Sequence, residues 1–440
     1  MPLKGHRERH LVGNIMLIRF GVQNHLSIRD RQELSLVASS LKDTGADSIK
    51  IERDLKLLPA ALIYGANASG KSNLVSAFAF FRNAVRSSHS QGKPEGGVRR
   101  LPFGLDEKSA RAPSRFDIDF VVNRTRFHYG YAASDSEFLE EWLFAFPAGK
   151  KQTWFLRDKK TKEIYFGKNL KGSLRTIESL MRPNSLFLST AAQNSHKQLS
   201  PLYHYISSIA LHYPKSDSDE TKVTFPEGKI DSRIIKFLQQ ADTGIVDCHF
   251  DDFRQDEKTA AIVADIFKVV NTHLAQGSGE ISKFEDFKVK VISLGHETKA
   301  RGKVYLDLSY ESTGTIRLLA ILKSIYSALD SGSVVIVDEL DASLHTYLSE
   351  KIVALFNSRV TNPKGAQLIA TTHDTNLLSA SFIRRDQIWF AEKDNSGATV
   401  FYPLTDIRTR NTDNLEKGYL QGRFGAVPFK GSVNLLMGAE

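Results

Sequence analysis

Cysteine is almost missing from this 440-residue chain: Cys248 is alone. That excludes an intrachain disulfide and a thiolate metal cluster, and it suits a reducing, cytosolic setting. Apolar runs long enough to span a bilayer are also lacking, so no membrane partner is expected. The basic opening MPLKGHRERH has no apolar core after it, which argues against a secretion signal. Strand-like patterning begins near Met16, and residues 1–15 read as a loose tail or an upstream extension of the true start. There are no internal repeats and no long low-complexity tract, and the lack of sustained heptads favours a compact insertion over a long coiled coil.

What is present belongs to a globular protein. Hydrophobic residues make up 41% and charged residues 25%, enough to build packed cores in two or three domains. The net charge of +9 hints at a polyanionic partner. Much of the excess lies in GKKQTWFLRDKKTKEIYFGKNLKGSLR (149–175), which reads as a solvated hairpin surface or as a nucleic-acid contact.

Patterning divides the chain. Short strands are expected at 15–20 and 26–38, and LLPAALIY (57–64) reads as a buried strand feeding a glycine-bearing turn and a helix from Lys71 to Ser88. Alternation over 116–167 predicts an antiparallel sheet. Residues 195–290 read as mostly helical, with DDFRQDEKTAAIVADIFKVVNTHLA the clearest amphipathic stretch. Strands return near 286–310, followed by helix (314–330), strand (333–338), helix (342–358) and the strand AQLIATT. Alternation with apolar strands predicts a parallel α/β sheet, shared by this last block and residues 57–88.

The motifs give that sheet a chemistry. GANASGKS (65–72) has the two glycines and the Lys-Ser of a phosphate-binding P-loop, placed after a buried strand and before a helix. Gly65 and Gly70 let successive N–H groups face one anion. Lys71 would meet the β- and γ-phosphates of ATP, and the Ser72 hydroxyl would ligate Mg²⁺. In SVVIVDELDASLH (333–345), adjacent carboxylates end a buried strand, which is costly without a cation. Asp338 would hold the Mg²⁺ through water, and Glu339 would act on the attacking water as general base or orienter. Ser312 and Gly314 in ESTGTIRLLAIL start a helix and describe a second phosphate site, or an ordinary helix cap. Since the chain already has a P-loop, that site would serve a partner chain's ATP. His373, ending the strand of LIATTHD, is suited to the γ-phosphate.

This order resembles the ABC-type ATPases, in the branch with SMC, RecF-like and overcoming-lysogenization-defect (OLD) ATPases. GANASGKSN, with Asn67 and Asn73 beside the lysine, the STG, DELDASLH with Asp341 in the D-loop, and TTHD carry the resemblance. NSLFLSTAAQN (184–194) is similar to the Q-loop strand of these proteins, making Gln193 a candidate Mg²⁺ and γ-phosphate sensor. FGVQNHLSIRD, LPFGLD, EEWLFAFP and GYLQGRFGAVPF extend the likeness to stand-alone bacterial AAA/ABC ATPases of phage-defence loci.

The resemblance implies an α/β, ABC-type P-loop fold with a parallel core sheet, an antiparallel β lobe and a helical insertion. The expected division is an N-terminal lobe (1–194), a mainly helical insertion (195–285) and a C-terminal lobe (286–440). It further implies an ATP-hydrolysing homodimer or higher oligomer, with ATP between one chain's P-loop and another's Ser312 and Gly314. A separately encoded nuclease or toxin would be the effector, since no TOPRIM-like acidic cluster follows His373, and DNA or a phage product would be the trigger. A RecF-like DNA-repair ATPase is the alternative. A transporter ATPase is disfavoured by the GKSN form, the STG and the split architecture.

Overall fold

The computed structural model describes residues 15–427, except 44, 52–54, 162, 214–228, 253–289, 299, 301, 343 and 411. The chain divides into two compact units, one made of residues 1–215 with 327–440 and one of 216–326.

Two sheets build the first unit. One is antiparallel, in the order β10-β9-β8-β7-β6-β1-β2. Its strands are β1 (Ile15–Gln23), β2 (Gln32–Ser35), β6 (Ser114–Val122), β7 (Thr125–Ala133), β8 (Phe138–Phe146), β9 (Gln152–Arg157) and β10 (Ile164–Phe166). The alternation predicted over 116–167 thus forms the expected sheet. A small ribbon of β3 (Ile49–Lys50) and β4 (Lys56–Leu57) packs Ile49 and Leu57 on Met16, Ile18 and Val121 of its outer face.

The other sheet has the order β11-β15-β16-β5-β17-β18 and is parallel from β11 to β17, with β18 antiparallel at the edge. Its strands are β5 (Ala60–Tyr64), β11 (Ala210–His212), β15 (Val334–Val337), β16 (Gln367–Thr371), β17 (Ile388–Lys393) and β18 (Thr399–Pro403). Every residue of β5, β15 and β16 is buried, as their unbroken apolar runs require. β5 lies between β16 and β17, so the two ends of the chain share one sheet, as the sequence predicts.

Helix α1 (Lys71–Ser87) joins the two sheets. Its apolar residues recur at helical spacing, and Leu74, Val75, Phe78, Phe81 and Val85 are buried. Phe78 stacks on Phe20 of β1 with ring centroids 3.7 Å apart, and Phe81 stacks on Tyr131 of β7. One core therefore runs from the antiparallel sheet through α1 to Ile63, Ile336 and Ile369 of the parallel sheet. Gln367, almost wholly buried, stitches the sheets directly. It accepts from Leu17 N at 2.7 Å and donates to Leu17 O and Leu58 O.

Short helices α2 (Glu107–Arg111), α3 (Leu174–Ser179), α4 (Phe187–Gln193) and α5 (Ser200–Ser208) complete this half. The strand expected at 184–194 is the helix α4. Its N-terminus is held by Glu141 of β8, whose buried carboxylate accepts from Phe187 N at 2.6 Å and Leu188 N at 3.0 Å. That buried carboxyl group satisfies helix-end donors which no strand would present.

The second unit contains α6 (Ser232–Gln240) and a three-stranded antiparallel sheet of β12 (Ile245–Asp252), β13 (Lys290–Thr298) and β14 (Gly302–Asp307), with most of α7 (Thr313–Ser331). The unit boundaries fall at 216 and 326, against the expected 195 and 285. Strands β11 and β12 occur where helix was expected. Most of the amphipathic stretch starting at Asp251 lies outside the described residues. The chain closes with α8 (Thr346–Asn357) and α9 (Leu415–Leu420). Among the described residues, no helix is long and apolar enough to cross a membrane.

Candidate nucleotide-binding site

The C-terminal ends of parallel strands are where open α/β sheets present ligands. Here β5, β15 and β16 end in the P-loop, the paired carboxylates and the TTHD turn. Between β5 and α1 the chain curls back on itself, with Ala68 at φ 63° and Gly70 at φ 105°. A side chain at Gly65 would collide with the Ala391 carbonyl, and one at Gly70 with the Thr399 hydroxyl. Only glycine permits this close approach. Asn67 and Ser72 are exposed, and Lys71 is buried.

The Lys71 ammonium folds onto the loop, donating to Gly65 O at 2.8 Å and Ala66 O at 3.0 Å. Burial pushes its pKa below the ordinary lysine range, against the pull of Asp338, Glu339 and Asp341. The cation and three of the predicted carboxylates thus occupy one electrostatic site. His373 belongs to it as well. Burial and the Lys71 charge lower its pKa against the same three carboxylates, so the imidazole is neutral near pH 7.

The carboxylates are positioned by a residue that sequence reasoning passed over. Thr371, at the end of β16, donates its hydroxyl to Asp338 Oδ1 at 2.6 Å and accepts from Glu339 N at 2.7 Å. Glu339 has φ 53°, a left-handed conformation costly for a residue with a side chain, and this bond holds it there. Asp338 is 2% exposed. Asp341 accepts from His373 N at 3.0 Å, tying the turn after β15 to the turn after β16. The first Thr of TTHD was in plain view in the sequence, but only the pairing of two strands reveals its role.

Asn73 does not reach toward the loop's open face. Its amide donates to Ser27 Oγ at 2.5 Å, and Ser27 Oγ is 2.7 Å from Thr399 Oγ1, which donates to Ser69 O at 2.8 Å. This chain fixes the P-loop from outside. Ser27 and Thr399 lie 372 positions apart, so no spacing in the sequence signals them.

Gln193 is a correction. It ends α4, and its amide donates to Tyr203 Oη at 3.2 Å, which donates to Arg86 O at 2.8 Å. Arg86 lies in the last turn of α1, ~21 Å along the helix from Ser72. The side chain is therefore at the wrong end of α1 to sense Mg²⁺ at Ser72. Ser312 caps α7, its hydroxyl accepting from Thr315 N at 3.0 Å, and Gly314 lies in the first turn. Both belong to the second unit.

The loop fits a phosphate. It has a buried cation held only by backbone carbonyls, and the buried Ser69 hydroxyl has no hydrogen-bond partner among the described residues. Among the described residues no cluster of three or more His, Cys, Asp or Glu could hold a metal alone. A divalent ion would need phosphate oxygens beside Ser72 and Asp338, as Mg²⁺ ordinarily has.

No curated protein matches the sequence. Among solved structures, the SMC head domain from Thermotoga maritima is similar at 13% identity, covering 88% of this chain and 98% of its own, with a TM-score of 0.33. The recombination mediator protein RecF-ATP is similar at 14% identity, covering 90% of this chain and 100% of its own, with a TM-score of 0.35. Superpositions this loose carry no argument about function. The family described as "AAA domain, putative AbiEii toxin, Type IV TA system" matches residues 60–379, from β5 to just past the TTHD turn. That span is well over half of the sequence and contains the P-loop, the paired carboxylates and the TTHD turn, so the chain is a member of this AAA-domain family.

Proposed function

We propose that the chain is an ATP-hydrolysing switch of ABC type that dimerises around its nucleotide and acts in a phage-defence system. The supporting observation is the convergence of Lys71, Asp338, Glu339 and His373 at the ends of three adjacent parallel strands. Lys71 and the loop N–H groups would hold the phosphates, and Ser72 and Asp338 would hold Mg²⁺, which supplies charge neutralisation on the phosphate oxygens. Glu339 would orient the attacking water. Neutral His373 can donate one hydrogen bond toward the terminal phosphate without adding a full charge.

The defence role draws support from the family's own description, which names a putative toxin. A separately encoded effector and a DNA or phage-derived trigger complete this reading. The exposed Lys159, Lys160, Lys168 and Lys171 around the β9–β10 hairpin favour a second reading, a RecF-like ATPase that binds DNA.

The deciding experiment is Glu339→Gln in saturating ATP with Mg²⁺. ATP binding is expected to persist while turnover falls by roughly 10²- to 10⁴-fold, and the protein should accumulate as a closed dimer or larger oligomer. Equal light-scattering masses for wild type and variant would refute the dimerising switch.

A further inference from the structure

On the first unit, an open cleft of about 350 Å³ lined by no P-loop residue lies between the segment at Lys42 and Asp43, the 3₁₀ turn at Thr375–Ser379 and the start of α9. That volume is at the lower end of small-molecule sites, roughly 300 to 1,000 Å³. Leu378 and Leu415 give it an apolar patch, and Ser381 contributes a hydroxyl, whereas the Ser379 hydroxyl already donates to Glu416 Oε2 at 2.9 Å.

Its charges are unevenly satisfied. Asp43 is fully engaged by Arg385, which donates to Oδ1 at 2.8 Å and to Oδ2 at 3.0 Å. Asp413 accepts from Arg410 N at 3.1 Å and pairs with Arg423 at 3.2 Å. Both carboxylates lining the cleft therefore already have guanidinium partners. Lys42 and Arg410 remain: both are exposed, and neither side chain has a hydrogen bond or ion pair among the described residues. Asp413 lies near enough to Arg410 to feel its charge, but its ion pair is with Arg423.

We infer that this cleft binds a small phosphorylated molecule, up to about the size of a mononucleotide, through Lys42 and Arg410. Two uncommitted cations beside the Ser381 hydroxyl and an apolar patch match a phosphate with a compact organic body. The cleft is too small for a macromolecular segment with its own fold. This site uses none of the residues assigned to ATP, so it does not depend on the proposed function.

The test is isothermal titration of Lys71→Ala protein, in which the P-loop is disabled, with AMP and with inorganic pyrophosphate. At least one is expected to bind, and adenosine, without a phosphate, should bind neither as well nor competitively. AMP alone binding means the organic body contributes; pyrophosphate binding means that charge suffices. Adding Lys42→Glu and Arg410→Glu should weaken binding at least about tenfold with an unchanged melting temperature. Ser381→Trp, which keeps the charges but fills the cleft, should also remove binding. No binding of either anion at millimolar concentration, or binding indifferent to both sets of substitutions, would overturn the assignment.

Discussion

Thr371 and Asp338 are joined by a 2.6 Å hydrogen bond, and the same threonine oxygen receives the Glu339 N–H. One hydroxyl thus orients the carboxylate assigned to the metal and stabilises the strained backbone of the one assigned to water. Thr371→Val keeps the shape and removes both bonds. Asp338 then loses this donor, costing about 1–3 kcal/mol of stability. ATP turnover should fall by more than tenfold while Thr371→Ser retains most of it. Equal steady-state rates for the valine and serine variants would show that the hydroxyl does not matter.

The outer brace of the P-loop is testable separately. Thr399→Val breaks the link from Asn73 and Ser27 to Ser69 O while leaving every P-loop residue itself unchanged. We expect ATP affinity to drop several-fold, a loss of about 1 kcal/mol, measured by titration with a non-hydrolysable analogue. Gly70→Ala should be worse, since it adds a side chain at φ 105° against the Thr399 hydroxyl.

His25 gives the protein a pH limit. Burial lowers its pKa to about 4, from 6.5, and its Nδ1 has no hydrogen-bond partner among the described residues. The imidazole lies between Phe80 and Phe116, with Nε2 3.1 Å from Ser76 Oγ of α1. Below pH 6.5 the unfolded chain takes up a proton that the folded chain refuses. Stability is therefore complete above pH 6.5 and declines as pH falls to about 4, by about 3 kcal/mol in total from this residue. His25→Gln should flatten that part of a chemical-denaturation profile. A wild-type profile with no slope between pH 6.5 and 4.5 would contradict the assignment.

The proposed dimer predicts complementation. Gly314→Glu should leave ATP binding by the isolated chain intact but abolish hydrolysis, because a carboxylate would face the partner's terminal phosphate. Lys71→Ala should abolish binding outright. Mixed dimers contain one composite site with both elements intact, so partial ATPase activity should return on mixing once subunits exchange. A dead mixture with exchange demonstrated would refute action in trans or require both sites to fire together, and fused dimers separate those outcomes.

Much of the site was legible because its parts are local. Gly65 to Ser72, Asp338 with Glu339, and His373 each end an apolar strand, and strand-then-turn is a short-range signal. Thr371, Ser27 and Thr399 were not legible, because their partners are fixed by the order of strands in the sheet. Gln193 failed for a related reason: the apolar run NSLFLST suits a strand as well as a helix, and Glu141, more than forty residues earlier, decides for helix. In 195–285, polar and apolar residues gave a helical impression, while β11 exists because its backbone completes the edge beside β15.

The position of β5 bears on how the protein is made. Ala60 pairs with Leu368 and Ile63 with Trp389, so this apolar strand leaves the ribosome about 300 residues before either neighbour. At roughly 5–20 residues per second, that is a wait of about fifteen seconds to a minute. Strands β1 and β6 to β8 are finished by residue 146, so α1 can dock on the antiparallel sheet first and shelter β5 on one side. The P-loop itself is not braced until Thr399 has been synthesised and folded against Ser27. A nascent chain that has not reached Thr399 therefore carries the phosphate-binding sequence without its outer brace, and the affinity proposed for ATP should rise as β18 folds against Ser27.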